Sequence, residues 1–241
     1  MATTDTFSIP LQKISRRLVA VLAVFGLLLA CLDLLISAPG WDYDGGISVI
    51  FNLTREDGIG DYYSATITLF AALLAWAVYY RERKRAWFWL ALLLTYTSMD
   101  DGSRVHEGVG GAVHRYFYHH YPHLPLPGYL WQLVFAPVFA ALLLLGVYVG
   151  LRHIQARYSR LALFSGLGLL VLAVGMDFLE GFGKIQSAWF AEFVSDAHPF
   201  NQHLVKVIEE TIESFSFGLI VSSFLNHIAV TYPQWKLEFT S

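Results

Sequence analysis

The stretch LVAVLAVFGLLLACLDLLI, residues 18–36, decides the fold class. It is close to the ~20 apolar residues a membrane-crossing helix requires and longer than the ~7–15 of a signal-peptide core. Lys13, Arg16 and Arg17 precede it as they would a signal sequence, but Ser37-Ala38-Pro39 is a poor cleavage site, so a retained anchor is expected. Within it lies Cys31, the only cysteine, read as a small lipid-facing or packed side chain. A single thiol excludes an intrachain disulfide, a CxxC zinc site and an iron–sulfur cluster built by this chain alone.

Working outward, further runs of spanning length cover 62–80, 86–110, 129–151, 160–181 and 204–229, which with 17–37 make six expected transmembrane helices. Only helices satisfy their own backbone in lipid at such lengths, so the expectation is an all-α bundle forming one integral membrane domain over 1–241. Composition agrees: of 241 residues 56% are hydrophobic and 15% charged, with a mean hydropathy of +0.49. A net charge of -3 carries no basic surplus, so nucleic acid is not an expected partner. Lys13, Arg16 and Arg17, then Arg81, Arg83, Lys84 and Arg85, then Arg152, Arg157 and Arg160 fall on alternate connections. The positive-inside rule puts that side and both termini in the cytoplasm. Residues 38–61, 111–128 and 182–203 then face outward, and Trp189, Phe190 and Phe193 suit a short interfacial helix in the last of these.

Acids interrupt the spans. A central Asp in a membrane helix costs roughly 2.5–3.5 kcal/mol on insertion scales, so such groups persist where they pair, bind ions or line water. Helical rise places Asp100 ~22 Å and Glu107 ~33 Å beyond Arg85, and Asp177 ~25 Å beyond Arg160, with Glu209 to Glu213 in the first turns after the outer loop. All of them belong to the outer half. At 100° per residue Asp100, Ser103 and Glu107 share a face with Arg104 beside them, while Asp101 and His106 point to either side. Asp177 and Glu180 are i,i+3 neighbours; Glu210 and Glu213 share a face with Lys206, and His203 lies two turns before Glu210. Gly108-Val109-Gly110-Gly111 reads as helix termination and flexibility.

Carboxylates with an imidazole form a hard-to-borderline donor set, and the expected centre is a divalent ion, Zn, Mn or Fe, held by Asp100, His106, Glu107, Asp177, Glu180, Glu210 and Glu213. Ser103 precedes His106 at i−3, and no Glu-x-x-His occurs in these segments, which disfavours a ferritin-like di-iron centre. Without a metal the same acids fit proton or cation exchange in a transporter, and a third alternative makes them interhelical glue in an accessory subunit of a larger membrane assembly. His114, His119, His120 and His123 alternate with Tyr116, Phe117, Tyr118 and Tyr121 and read as an interfacial aromatic belt; His153 and His227 read as interfacial on the cytoplasmic side. No G-x-S-x-G turn or phosphate-cradling glycine loop is present.

Ser98-Met99-Asp100-Asp101 followed by His106-Glu107, then Met176-Asp177-Phe178-Leu179-Glu180-Gly181 and Glu209-Glu210-Thr211-Ile212-Glu213 together resemble a group of uncharacterised bacterial multi-pass membrane proteins. The resemblance spans most of the membrane region and implies a bacterial inner (plasma) membrane location. A fainter similarity is to intramembrane hydrolases of the alkaline ceramidase kind, which hold zinc through Asp and His in seven helices; this chain departs from them with six expected spans. The leading expectation is a metal-dependent membrane protein acting on a lipid or other hydrophobic small molecule, with the lipid bilayer and a membrane-protein partner as its surroundings.

Overall fold

The computed structural model describes residues 6–9, 11–37, 50–55, 58–121, 123, 130–183, 199–233 and 237–240, with side chains described for 11–36, 50–55, 58–121, 123, 130–179 and 203–233. Expectations resting on Trp189, Phe190 and Phe193 lie outside these residues. Among the described residues seven helices carry the fold: α1 (Leu11–Ser37), α2 (Ile59–Glu82), α3 (Arg85–Ser103), α4 (Val105–His120), α5 (Trp131–Arg152), α6 (Arg157–Gly183) and α7 (Pro199–Thr231). Five of them, α1, α2, α5, α6 and α7, are long and apolar enough to cross a membrane. Two short strands, β1 (Thr6–Ile9) and β2 (Leu237–Thr240), pair antiparallel with Thr6 opposite Thr240, so both ends of the bundle's chain meet at one end of the molecule.

The continuous third helix expected over 86–110 is two helices. α3 stops at Ser103, Arg104 adopts a left-handed conformation (φ 54°) with its N–H donating to the Asp100 carbonyl, and α4 starts at Val105. Left-handed backbone at a residue with a Cβ costs roughly 1–2 kcal/mol, so surrounding contacts have to hold it. The glycines of Gly108-Val109-Gly110-Gly111, expected to end the helix, instead lie inside α4. Gly110 has a packing reason: a Cβ there would come 2.5 Å from the Cβ of Trp131, so its bare backbone is what lets α4 close against the start of α5.

α2 and α3 form an antiparallel hairpin across a turn capped by left-handed Arg83, stitched by Trp76 Nε1 donating to Thr95 Oγ1 (3.1 Å) and Ser98 Oγ donating to the Ala65 carbonyl (2.7 Å). The central element is α7, packed on α1, α2 and α6; 67% of its apolar window is buried against 17% for α1. At Gly166 the α6 backbone approaches the Ser216 carbonyl so closely that a Cβ would sit 2.7 Å from it. Between the bundle's ends runs a layer of wholly buried apolar side chains: Ala71, Ala75, Leu90, Leu94, Phe217, Val221 and Phe224. The buried serines at that level, Ser222 and Ser223, turn their hydroxyls to the Ser15 and Ser159 carbonyls on the α1 and α6 flanks.

At the end bearing the termini, Glu82 gathers three partners. Tyr232 Oη donates to it at 2.8 Å, Lys84 pairs with it at 2.8 Å, and His227 Nε2 lies 3.5 Å away. Trp87 stacks on the His227 ring (5.5 Å, 18°) and meets Phe224 edge-on (5.2 Å). His227 is therefore buried at 3% exposure, not interfacial as its sequence position suggested, because α3 lays its first turn across it. Outside the spans, burial raises the Tyr232 hydroxyl pKa, with the Glu82 hydrogen bond acting in the same sense; burial, then the Lys84 charge, lowers that of His153.

Candidate functional site

At the opposite end the helices splay around a cavity of about 760 Å³. Its wall is contributed by the start of α2, the end of α3, α4, the first turns of α5, the end of α6 and the first turns of α7, with Leu53, Thr54 and Arg55 closing one side. Asp100, His106, Glu107, Asp177, Glu210 and Glu213 all line it, so six of the seven residues expected to share a site do so. The seventh, Glu180, belongs to α6, and its side chain lies outside the described residues.

How they meet differs from the expectation. Asp100 spends both oxygens on His106: Oδ1 accepts the His106 backbone N–H (2.9 Å) and Oδ2 faces Nδ1 (2.9 Å). The turn at Arg104 makes this possible, because it breaks the 100° periodicity that put the two on different faces and folds α4 back over the end of α3. A carboxylate only accepts, so Nδ1 carries a proton and the neutral ring keeps its lone pair on Nε2. That nitrogen is 3.9 Å from Glu107 Oε1, and the ring packs on Trp131 (4.5 Å) and Phe135 (6.5 Å). Asp101, on α3 ahead of the break, also lines the cavity.

Lys206 occupies the middle of the remaining acids. Its Nζ is 2.7 Å from Glu209, 3.4 Å from Asp177 and 3.7 Å from Glu210, and Gln132 Nε2 donates to the other Asp177 oxygen at 2.7 Å. This chain of contacts joins α5, α6 and α7. Glu209 and Asp177 are both buried, at 4% and 9% exposure. Among the described residues no three His, Cys, Asp or Glu side chains converge closely enough to hold a metal ion. An ammonium already bridges three of the carboxylates. A carboxylate/His metal site built from these residues is thus not supported by their spacing.

A second histidine–carboxylate pair flanks the cavity and uses a residue outside the expected set. His203 Nε2 lies 2.8 Å from Asp33 Oδ1, His203 Nδ1 is 3.4 Å from Thr54 Oγ1, and Asp33 Oδ2 accepts the Leu53 N–H at 3.0 Å. Asp33 is 1% exposed. Its signal was available, as the sole charge in the opening apolar run. Both nitrogens of His203 are engaged, which makes this pair a clamp between α1, residues 53–54 and α7; His106 keeps Nε2 toward the cavity and the Glu107 side chain. Of the outer histidines, His114 lines the cavity, while its ring stacks on Tyr118 and that of His120 on Tyr116, in keeping with an aromatic belt.

Carboxyl-bearing residues outnumber Lys and Arg by eight to four along the described wall. Facing the acids of α7 are Tyr96 from α3 and Trp131, Phe135 and Phe139 from α5. The chamber is half apolar and half acidic, with a histidine at the seam. No curated protein and no solved structure matches the chain. A family described as a domain of unknown function, DUF8692, matches residues 18–228, and the chain belongs to that family.

Proposed function

We propose that this is a six-crossing membrane protein that takes a lipid-derived or other amphipathic small molecule into the acidic–aromatic chamber at its outer face, where His106, held by Asp100, exchanges a proton with it. The observation that carries this reading is the chamber itself: a volume of about 760 Å³ that joins an aromatic wall to carboxylates from five helices. Small-molecule sites typically occupy ~300–1,000 Å³ and pair apolar lining with a few convergent polar groups.

Topology supports the outer placement. Paired termini at one end require an even number of crossings, and α3, antiparallel to α2 and rising ~28 Å over its length, supplies the sixth beside the five apolar helices. The basic residues that precede the first crossing and those of the second and fourth connections then gather at the end with the termini, the cytoplasmic one, and the chamber opens opposite. Against through-membrane conduction stands the apolar layer between the chamber and the Glu82 cluster. Against a resident Zn, Mn or Fe stands Lys206, whose ammonium already sits between Asp177, Glu209 and Glu210. As a general acid–base pair, Asp100 orients the ring and stabilises the imidazolium that forms when Nε2 accepts a proton.

The test is native mass spectrometry of the protein released from its own membrane, with elemental analysis of the same sample. An amphiphile of fixed mass retained by the wild type and lost when Val138→Trp fills the chamber, with no stoichiometric divalent metal, is the expected result. Retention unchanged by Val138→Trp, or one metal per chain, overturns it.

A further inference from the structure

We infer that the chamber selects a cationic amphiphile, an organic ammonium bearing N–H groups on an apolar body, with the ammonium between Asp101 and Glu213 and the body along Tyr96, Trp131 and Phe135. The inference rests on the reading that the chamber holds an amphipathic molecule, and it names which one by charge.

The protein already shows what these acids accept. Lys206 is an internal alkylammonium, and three carboxylates close around it at 2.7, 3.4 and 3.7 Å. Its single charge leaves the wall with an acid excess, eight carboxyl residues to four basic ones. An anionic guest would add to that excess in a lipid-flanked volume, and a neutral one would leave it unchanged. Glu213 lies ~10 Å beyond Lys206 along α7, within electrostatic reach of Asp101. The Ser64 hydroxyl is the donor nearest Asp101, and the solvent-shielded Asp101 Oδ2 completes no hydrogen bond of good geometry among the described residues. A shielded acceptor of this kind asks for a donor, which an N–H ammonium supplies and a quaternary one does not.

The opposite wall suits the rest of the molecule. Trp131 lies against His106 and Phe135 stacks at 6.5 Å and 14° on Tyr96, and all three rings line the same cavity as the acids of α7. Aromatic faces attract cations through their quadrupole and shed water as an alkyl chain does. A divalent ion needs several donors converging on a point, whereas an ammonium needs one or two carboxylates and a ring face. The second arrangement is the one present.

Trp131 provides the readout. Full-length protein in nanodiscs of zwitterionic lipid is titrated with bromine-labelled dodecylammonium, dodecyltrimethylammonium, dodecanol and dodecyl sulfate, and the bromine quenching lost in Trp131→Phe is taken as the chamber signal. The expected order is the primary ammonium first, at least tenfold tighter than the alcohol or sulfate, with the trimethyl compound between. Glu213→Gln and Asp101→Asn are each expected to weaken the primary ammonium about tenfold without changing the alcohol; the isosteric Glu213→Gln carries the test if Asp101→Asn does not fold. Equal quenching by all four compounds, or a preference that survives Glu213→Gln, overturns the ammonium inference while leaving an amphiphile chamber. Absence of Trp131 quenching by any of them overturns both.

Discussion

The two ends of the bundle solve the problem of buried charge in opposite ways. At the end bearing the termini one carboxylate, Glu82, is met by a lysine, a tyrosine hydroxyl and an imidazole, and Trp87 seals the group. At the chamber end eight acidic residues share four basic ones around an open volume. The first arrangement has donors to match its acceptor; the second has acceptors in surplus. Buried polar groups that are fully matched specify packing, whereas a surplus of one kind marks a place where something else is received. The lesson is that an acid's presence in a span says little until its partners are counted.

Substitutions that act differently at the two ends test this contrast. The largest effect is expected for Glu82→Ala, which leaves Lys84, His227 and the Tyr232 hydroxyl without their acceptor: a loss of about 3 kcal/mol in detergent-solubilised unfolding, with amphiphile quenching at Trp131 unchanged. Loss of binding there would mean the ends are coupled across the apolar layer. Next is the pair His203→Gln and His106→Gln. His203 holds Asp33, so its change is expected to cost about 2 kcal/mol, while His106→Gln costs less than about 1 kcal/mol but abolishes any pH dependence of turnover or ligand exchange. The reverse ranking would make His106 the clamp.

Arg104→Gly relieves the left-handed residue between α3 and α4, and a gain of roughly 0.5–1 kcal/mol is expected, set against Arg104→Val, which is expected to unfold at lower temperature than the wild type. The smallest effect concerns His153. Burial holds its pKa below 6.5 in the folded protein, so below that pH the unfolded chain binds the extra proton and stability falls as the solution is acidified. His153→Asn is expected to flatten the stability curve just below pH 6.5 and leave it unchanged above; an unaltered slope would show the imidazole to be solvated as in the unfolded chain.

Much of this was legible in the sequence where one rule governs a long segment. Five of the six expected spans are helices long and apolar enough to cross a membrane, and helical spacing on α6 and α7 pointed Asp177, Glu210 and Glu213 to the one cavity they line, because those helices continue past it. Spacing failed at Arg104, since arginine is a good helix former and nothing local announces a left-handed turn; the glycines that did look like a terminator serve close packing. Asp33 escaped because a single acid near a helix end reads as tolerable until its partner, 170 residues away, is known. The Glu82–His227 contact was hidden for the same reason, as each residue alone looks interfacial.

The slab of apolar side chains around Ala71, Val221 and Phe224 has an electrical consequence. Voltage across a membrane drops mainly over its least polarisable part, and a unit charge carried through the whole drop exchanges ~2.3 kcal/mol per 100 mV. In the proposed topology that insulator lies cytoplasmic to the chamber, and a cation arriving from outside traverses little of the field. Occupancy should therefore be nearly indifferent to membrane potential, leaving a cell's energised or depolarised state almost invisible to this protein.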